Sequence, residues 1–212
     1  RMPNVDGFEF LKTLSSHNLF SNLAVVVMTG MSPDEVRAKG GLPVKLCPVL
    51  KLSVLDQSVA AAGRSQDAAI RQTLNLAQQC EAWGYHRFWV SEHHSHPSIV
   101  GTAPEVLMAA LAARTTRIRL GSAGVMLPHY APLKVAEQFR VLDALAPGRI
   151  DLGVGRAPGS DGRTAQLLNP DRHASDNFPQ QVMELQAWVT GEPIPAGHPG
   201  HGVYAYPSGS TS

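Results

Sequence analysis

The densest chemistry in the sequence is the run Glu92-His93-His94-Ser95-His96. An imidazole changes charge near neutral pH, so a histidine in a loop that lines a pocket can move a proton or touch a cofactor. The plain alternative is a solvated loop histidine. Three histidines and a carboxylate also suggest a metal, but adjacent residues of an extended segment point to opposite sides, so that reading ranks a distant third. Two glycine-bearing segments follow. In Gly121-Ser122-Ala123-Gly124-Val125-Met126-Leu127-Pro128, small residues let a flat ligand approach the backbone; a tight structural corner explains them equally well. In Gly153-Val154-Gly155-Arg156-Ala157-Pro158-Gly159, backbone N–H groups and a guanidinium suit a phosphate. Pro158 stands where a dinucleotide fingerprint needs its third glycine, and the helical pattern resumes only near Ser175, so that match is weak. Arg156 as an ordinary ion-paired surface residue is the alternative.

The rest of the composition narrows the class. The chain has 212 residues, a formal net charge of +1, 43% hydrophobic and 17% charged residues. That is a globular composition without the basic excess of a nucleic-acid binder. The longest apolar runs, 23–28 and 106–113, fall far short of the roughly 18–20 residues that span a bilayer. Cys47 and Cys80 have neither metal-ligand spacing nor a disulfide framework, which fits a reducing cytoplasm. The start at Arg1, with no charged-then-apolar leader, reads as cytoplasmic and as a fragment. No metal is expected, and spacing alone proposes no Ser, His and Asp arrangement. Arg114, Arg117 and Arg119 read as a helix end and solvated strand positions. His198 and His201 in the Gly/Pro tail, with residues 208–212, read as flexible loop.

These segments need a scaffold, and the hydrophobic pattern predicts one. Strands are expected at 50–55, 87–91, 117–122 and 149–154, each followed by a helix. The first helix opens at Ser65 and places Ile70, Leu74, Ala77 and Cys80 on one face. The second opens with the capping box Thr102-Ala103-Pro104-Glu105. The third buries Val135, Phe139, Leu142 and Leu145, and the fourth carries Val182, Leu185 and Val189 up to Gly191. Strand starts near 49, 86, 117 and 149 recur at about the ~31-residue period of a (β/α)8 barrel, although a doubly wound open sheet uses similar units. Residues 49–191 hold four such units, half a barrel, and 192–212 form a Gly/Pro/Ser-rich tail. Residues 1–43 differ: Phe8, Leu11 and Leu14 suggest a short amphipathic helix, and 23–28 a buried strand. A junction lies at 44–48.

Leu52-Ser53-Val54-Leu55-Asp56-Gln57-Ser58, Trp89-Val90-Ser91-Glu92-His93-His94, Ala103-Pro104-Glu105-Val106-Leu107, residues 121–128, Pro132-Leu133-Lys134-Val135-Ala136-Glu137-Gln138-Phe139 and Pro147-Gly148-Arg149-Ile150-Asp151-Leu152-Gly153 resemble the luciferase-like flavin-dependent monooxygenases. The resemblance implies a TIM barrel that binds reduced FMN, reacts it with O2 at the flavin C4a carbon, and inserts one oxygen into a small organic substrate such as an aldehyde or ketone. A separate flavin reductase would supply the reduced FMN. Carried over by position, His93 works in proton transfer beside the flavin, with Glu92 at the cofactor. Ala123 and Gly124 are the pair joined by a non-prolyl cis peptide against the isoalloxazine, and Arg156 binds the phosphate. Gly155 stands where luminous luciferases have a cysteine near the flavin, so light emission is not implied.

Met2-Pro3-Asn4-Val5-Asp6-Gly7-Phe8-Glu9-Phe10-Leu11 and Val25-Val26-Val27-Met28-Thr29-Gly30 resemble a truncated response-regulator receiver domain, in which Thr29 would contact a phosphoryl group. The acceptor Asp, the acidic pair and a later Lys strand are missing, so phosphotransfer is not expected. A signalling or interaction fragment is the alternative function. The combined expectation is an α/β chain: a partial (β/α)8 barrel of four units preceded by a receiver-like segment. Half a barrel exposes its first and fourth strands as edges, so weak FMN binding, no turnover by this chain alone, and edge pairing into a homodimer are expected.

Overall fold

The computed structural model describes residues 25–29 and 51–208. Its strands are β1 (Val25–Thr29), β2 (Leu52–Asp56), β3 (Arg87–Val90), β4 (Arg119–Ser122), β5 (Val125–Met126), β6 (Ile150–Asp151) and β7 (Val154–Gly155). Five form one parallel sheet in the order β1-β2-β3-β4-β6, and β5 and β7 form a separate parallel pair. The helices are α1 (Gln66–Ala82), α2 (Pro104–Ala112), α3 (Pro132–Leu145), α4 (Gly162–Leu168) and α5 (Phe178–Thr190). Parallel strands separated by helices are the α/β class that the hydrophobic period predicts. Among the described residues, no helix is long and apolar enough to cross a membrane.

The two faces of the sheet differ because side chains alternate along each strand. Val54, Phe88, Val90 and Leu120 pack into a core with Leu76, Leu107, Met108, Leu111, Val135 and Phe139 from the helices. The other face carries Arg87 and Trp89 from β3, Arg119 from β4 and Asp151 from β6. Asp151 accepts from Arg87 Nε at 3.0 Å, Trp89 Nε1 at 3.1 Å and Arg119 Nε at 3.1 Å. Burial alone would raise its pKa, but these donors outweigh it and hold the carboxyl below its ordinary value. The Trp89 ring lies across Gly121, where an added Cβ would sit 2.5 Å from Trp89 Cδ1. Only glycine lets the indole reach Asp151.

Several sequence expectations need correction. The buried face of α1 is Ala69, Thr73, Leu76, Ala77 and Cys80, with Ile70 and Leu74 flanking it, although Ser65 does cap the helix by accepting from Ala68 N. No capping box forms at α2: Ala103 is the N-cap without a side-chain bond, and Pro104 at the first turn removes one N–H that would need it. Leu145 is 62% exposed, because the α3 stripe turns solventward after Leu142. Helix α4 was not expected: it buries no residue, so it has no apolar period, and Asp161 starts it by accepting from Arg163 N and Thr164 N. The fourth strand breaks into β6 and β7. The tail from 192 to 208 packs rather than flexes. Ile194 and Ala205 join the core, Trp188 Nε1 donates to Val203 O at 3.0 Å, and His198 and His201 bond to Glu184 and Ile194 O. Arg140 ties the end of α5 to this tail, donating to the carbonyls of Trp188, Val189 and Pro207.

The first strand of the four units is not an edge, because β1 pairs with β2 along all five residues, Val25 with Leu52 through Thr29 with Asp56. Apart from this strand, the receiver-like reading of residues 1–43 and the 44–48 junction lie outside the described residues.

The end of the sheet remote from the loops bearing His93 and Arg156 is clipped by Glu81 near the end of α1. Its carboxylate accepts from Thr116 N, Arg117 N and Ile118 N, at 2.9, 2.7 and 2.9 Å, and from Thr116 Oγ1. Burial pushes its pKa up, but the Ile118, Arg117 and Thr116 donors prevail and bring it to about 2. The folded pKa is depressed, so this contribution is complete above the ordinary carboxylate range and is lost as pH falls through about 2. Glu81→Ala is expected to lower stability at neutral pH by about 0.5–1.5 kcal/mol, because water can replace much of this exposed hydrogen bonding. Urea melts at successively lower pH should show the gap between variant and parent closing on the acid side.

Candidate active site

All the loops singled out by the sequence lie at the carboxyl ends of parallel strands. Glu92 and His93 follow β3, Ala123 and Gly124 follow β4, and Arg156 follows β7. Hydrogen bonds join these loops to one another. Ala123 N donates to Val90 O at 2.8 Å, and His94 N donates to Gly159 O at 2.9 Å.

Beyond β3 the extended backbone sorts four side chains into two networks. Glu92 and His94 point one way. Glu92 is fully buried, and its carboxylate takes three donors: Met126 N at 2.8 Å, Tyr130 Oη at 2.5 Å and His94 Nε2 at 2.7 Å. Burial first, and then the Glu92 bond, push the Tyr130 phenol upward in pKa, so it stays protonated as the donor. The His94 ring meets His129 edge to face, and His129 Nε2 donates to Pro158 O at 2.8 Å. Among the described residues, the buried Nδ1 of His129 has no partner.

Ser91 and His93 point the other way. Ser91 is 2% exposed, and its Oγ lies 3.3 Å from His93 Nδ1. Ser91 N donates to Asp56 O, and His93 N to Gly101 O. Beneath them Asp56 accepts from Thr73 Oγ1 at 2.6 Å and from Ser58 N, while burial raises its pKa. Burial also depresses the His93 pKa, helped by His96 and His94 and opposed by Glu92, which favours the neutral ring.

After β4 two backbones cross closely. Ser122 Oγ donates to Gly153 O at 2.8 Å and accepts from Gly153 N at 3.1 Å. A Cβ on Gly153 would lie 2.3 Å from Ser122 O, and one on Gly124 2.9 Å from Gly153 O. The Ala123–Gly124 peptide is cis, the geometry that the resemblance implies for this pair. Both residues remain partly exposed, so a small-residue ledge faces outward here. Gly155 lies in β7, where a Cβ would sit 2.9 Å from Met126 Cε.

Arg156 lines a cavity of about 410 Å³ with His129, Pro158, Gln166, Asn169 and Arg172. Its guanidinium donates to Ser175 O at 3.0 Å and lies 3.6 Å from Asp176, with the side chain 64% exposed. Among the described residues, no cluster of three potential metal ligands occurs.

Sequence reasoning missed Tyr130 and Ser91 as members of these networks. Tyr130 lies 38 residues from Glu92 and gave no local signal. Ser91 was findable, because a spacing of two along an extended segment puts it on the side of His93. Glu92→Gln is expected to cost about 1–3 kcal/mol, since its amide nitrogen would oppose another donor. Tyr130→Phe should cost less in that background than in the parent, giving a non-zero coupling in a denaturation cycle.

A family model described as luciferase-like monooxygenase matches residues 50–177. The N-acetyl-S-alkylcysteine monooxygenase of Bacillus subtilis (strain 168) is 50% identical over 146 residues, covering 66% of this chain and 42% of that protein. Among solved structures, apo-MsnO8 is 39% identical with a TM-score of 0.65, covering 71% of this chain and 47% of that one. The oxygenating constituent of 3,6-diketocamphane monooxygenase from Pseudomonas putida, a type II Baeyer–Villiger monooxygenase solved with FMN, is similar in fold. It is 24% identical with a TM-score of 0.60, over 68% of this chain and 40% of that one. The chain therefore spans less than half the length of the curated relatives it matches. The family match begins at residue 50 and covers none of the receiver-like stretch. Four of the five main-sheet strands and every residue of the strand-end cluster through Arg156 fall inside the matched span, and the chain belongs to the luciferase-like monooxygenase family.

Proposed function

We propose that residues 49–191 are the first four units of a (β/α)8 barrel, and that the protein works as an FMN-dependent monooxygenase in the cytoplasm. The observation that carries this reading is the meeting of the His93, Ala123–Gly124 and Arg156 loops at one end of a parallel sheet, where such barrels hold their active sites. Individual residues suit parts of the cofactor, although the cavity that Arg156 lines includes neither His93 nor Ala123 nor Gly124. The outward ledge of Ala123 and Gly124 has no side chain larger than a methyl to keep a planar ring from the backbone. Arg156, mostly exposed, has a guanidinium fork suited to a phosphate. Reduced FMN, delivered by a flavin reductase, supplies the electrons that activate O2 when it is bound. The substrate is a small organic molecule, with a ketone or aldehyde the class proposed.

The chain's own residues divide the remaining work. His93 moves a proton or holds a hydrogen bond beside the cofactor. Gly155, next to Arg156, carries no side chain and leaves its space to the Met126 thioether. Glu92, first expected at the cofactor, serves better as a positioning residue, because its enclosed carboxylate is already satisfied by three donors. It holds the β5 backbone and the Tyr130 turn against the loop that carries His93.

Arg156→Ala is expected to weaken FMN binding by roughly 10- to 100-fold, the loss of a charge-assisted contact. Titration of this chain followed by flavin fluorescence measures it, and an unchanged affinity removes Arg156 from the site. His93→Ala should slow turnover by roughly 10²- to 10⁴-fold with FMN affinity less affected. That assay needs a barrel completed by four further units, a flavin reductase and O2; unaltered turnover would return His93 to an ordinary loop histidine.

A further inference from the structure

We infer that Ser91 is a positioning residue that holds neutral His93 as its Nε2–H tautomer, so that His93 meets the bound ligand as a hydrogen-bond donor. The identity of that ligand rests on the flavin reading; the tautomer rests only on local geometry.

Among the described residues, the one side-chain hydrogen bond of Ser91 is the 3.3 Å contact with His93 Nδ1. A hydroxyl has one proton to place. If Nδ1 carried the ring proton and donated to Oγ, the hydroxyl proton of this 2%-exposed residue would have no acceptor. An unpaired buried donor biases the balance by about tenfold or more towards the other arrangement, in which Oγ donates and Nδ1 accepts. The neutral ring then carries its proton on Nε2. Nε2 itself has no hydrogen bond among the described residues and is not one of the enclosed unpaired atoms, so it is open to a ligand.

The frame holding this contact is stiff at both ends. Ser91 N is fixed to Asp56 O and His93 N to Gly101 O. Gly101 packs so closely that an added Cβ would sit 3.3 Å from Ser91 O and 3.4 Å from Ser58 Oγ. The functional consequence is a direction. With Nδ1 occupied and Nε2 protonated, His93 cannot take a proton at its open nitrogen. It donates a hydrogen bond there, and passes a proton outward only after becoming imidazolium.

The test is long-range ¹H–¹⁵N spectroscopy of the chain with ¹⁵N-labelled histidine, at about pH 8 where the imidazole is neutral, with the His93 signals assigned from His93→Gln. The expected parent spectrum has Nε2 protonated and Nδ1 bare. Ser91→Ala should raise the ratio of Nδ1–H to Nε2–H form by about tenfold, and Ser91→Thr should restore the parent ratio. Nδ1–H in the parent, or an unchanged ratio in Ser91→Ala, overturns the inference. If Ser91→Ala does not fold, the parent spectrum decides alone. No flavin is present, so a failed FMN titration and a failed tautomer result are separate outcomes.

Discussion

The site end of this molecule depends on two backbones that touch at Ser122 and Gly153. A single hydroxyl bonds both the N–H and the C=O of Gly153, in place of the next rungs of the ladder between β4 and β6. At this crossing the main pairing ends after Gly121 and Asp151, Val125 N also donates to Gly153 O at 2.8 Å, and the chain resumes pairing in the separate β5–β7 ladder. That change of ladder gives the Arg156 segment its own path out of the sheet. It also brings Met126 N to the Glu92 carboxylate. A side chain on Gly153 would collide with Ser122 O, so the arrangement is closed to every other residue type.

Alternation along the segment after β3 does the remaining sorting. The even positions, Glu92 and His94, serve internal cohesion: a buried carboxylate collects donors from β5, from Tyr130 and from its own second neighbour. The odd positions, Ser91 and His93, face a smaller and less crowded set of partners. One short stretch thus separates a charge that holds the scaffold from an imidazole left open on one side. The separation needs no turn or special dihedral at Glu92, only the two-residue period of extended backbone.

What was legible in the sequence follows from what each residue buries. Strands β2, β3 and β4 were readable because their inward residues are apolar and alternate, and the start of α1 because Ser65 is a good cap. The segments bearing His93, Ala123–Gly124 and Arg156 were readable as strand ends from the hydrophobic pattern, while the cofactor roles assigned to them came only from resemblance to a family, since a short run of small residues has no unique structural meaning. Other features had no local sign. Helix α4 buries nothing, so no period betrays it. The break between β6 and β7 falls where Gly153 meets Ser122, 31 residues away in sequence. The tail looked unstructured because its composition is that of a loop, yet Trp188 and Arg140 recruit its carbonyls. Leu145 was placed in the core because a helical stripe was extended one turn beyond where the neighbouring elements end.

The Asp151 cluster has a consequence for the order in which the chain acquires its structure. Arg87 and Arg119 are paired in register on neighbouring strands, so bringing β3 and β4 together sets two guanidinium groups side by side. The carboxylate that neutralises them lies 64 and 32 residues further along. Long-range parallel pairing is already slow, because the chain entropy of a long connection is lost before the contacts form. Here the pairing of β3 with β4 also carries an electrostatic debt until β6 arrives. The charges that the third βα unit brings together are therefore neutralised only once the start of the fourth is in place.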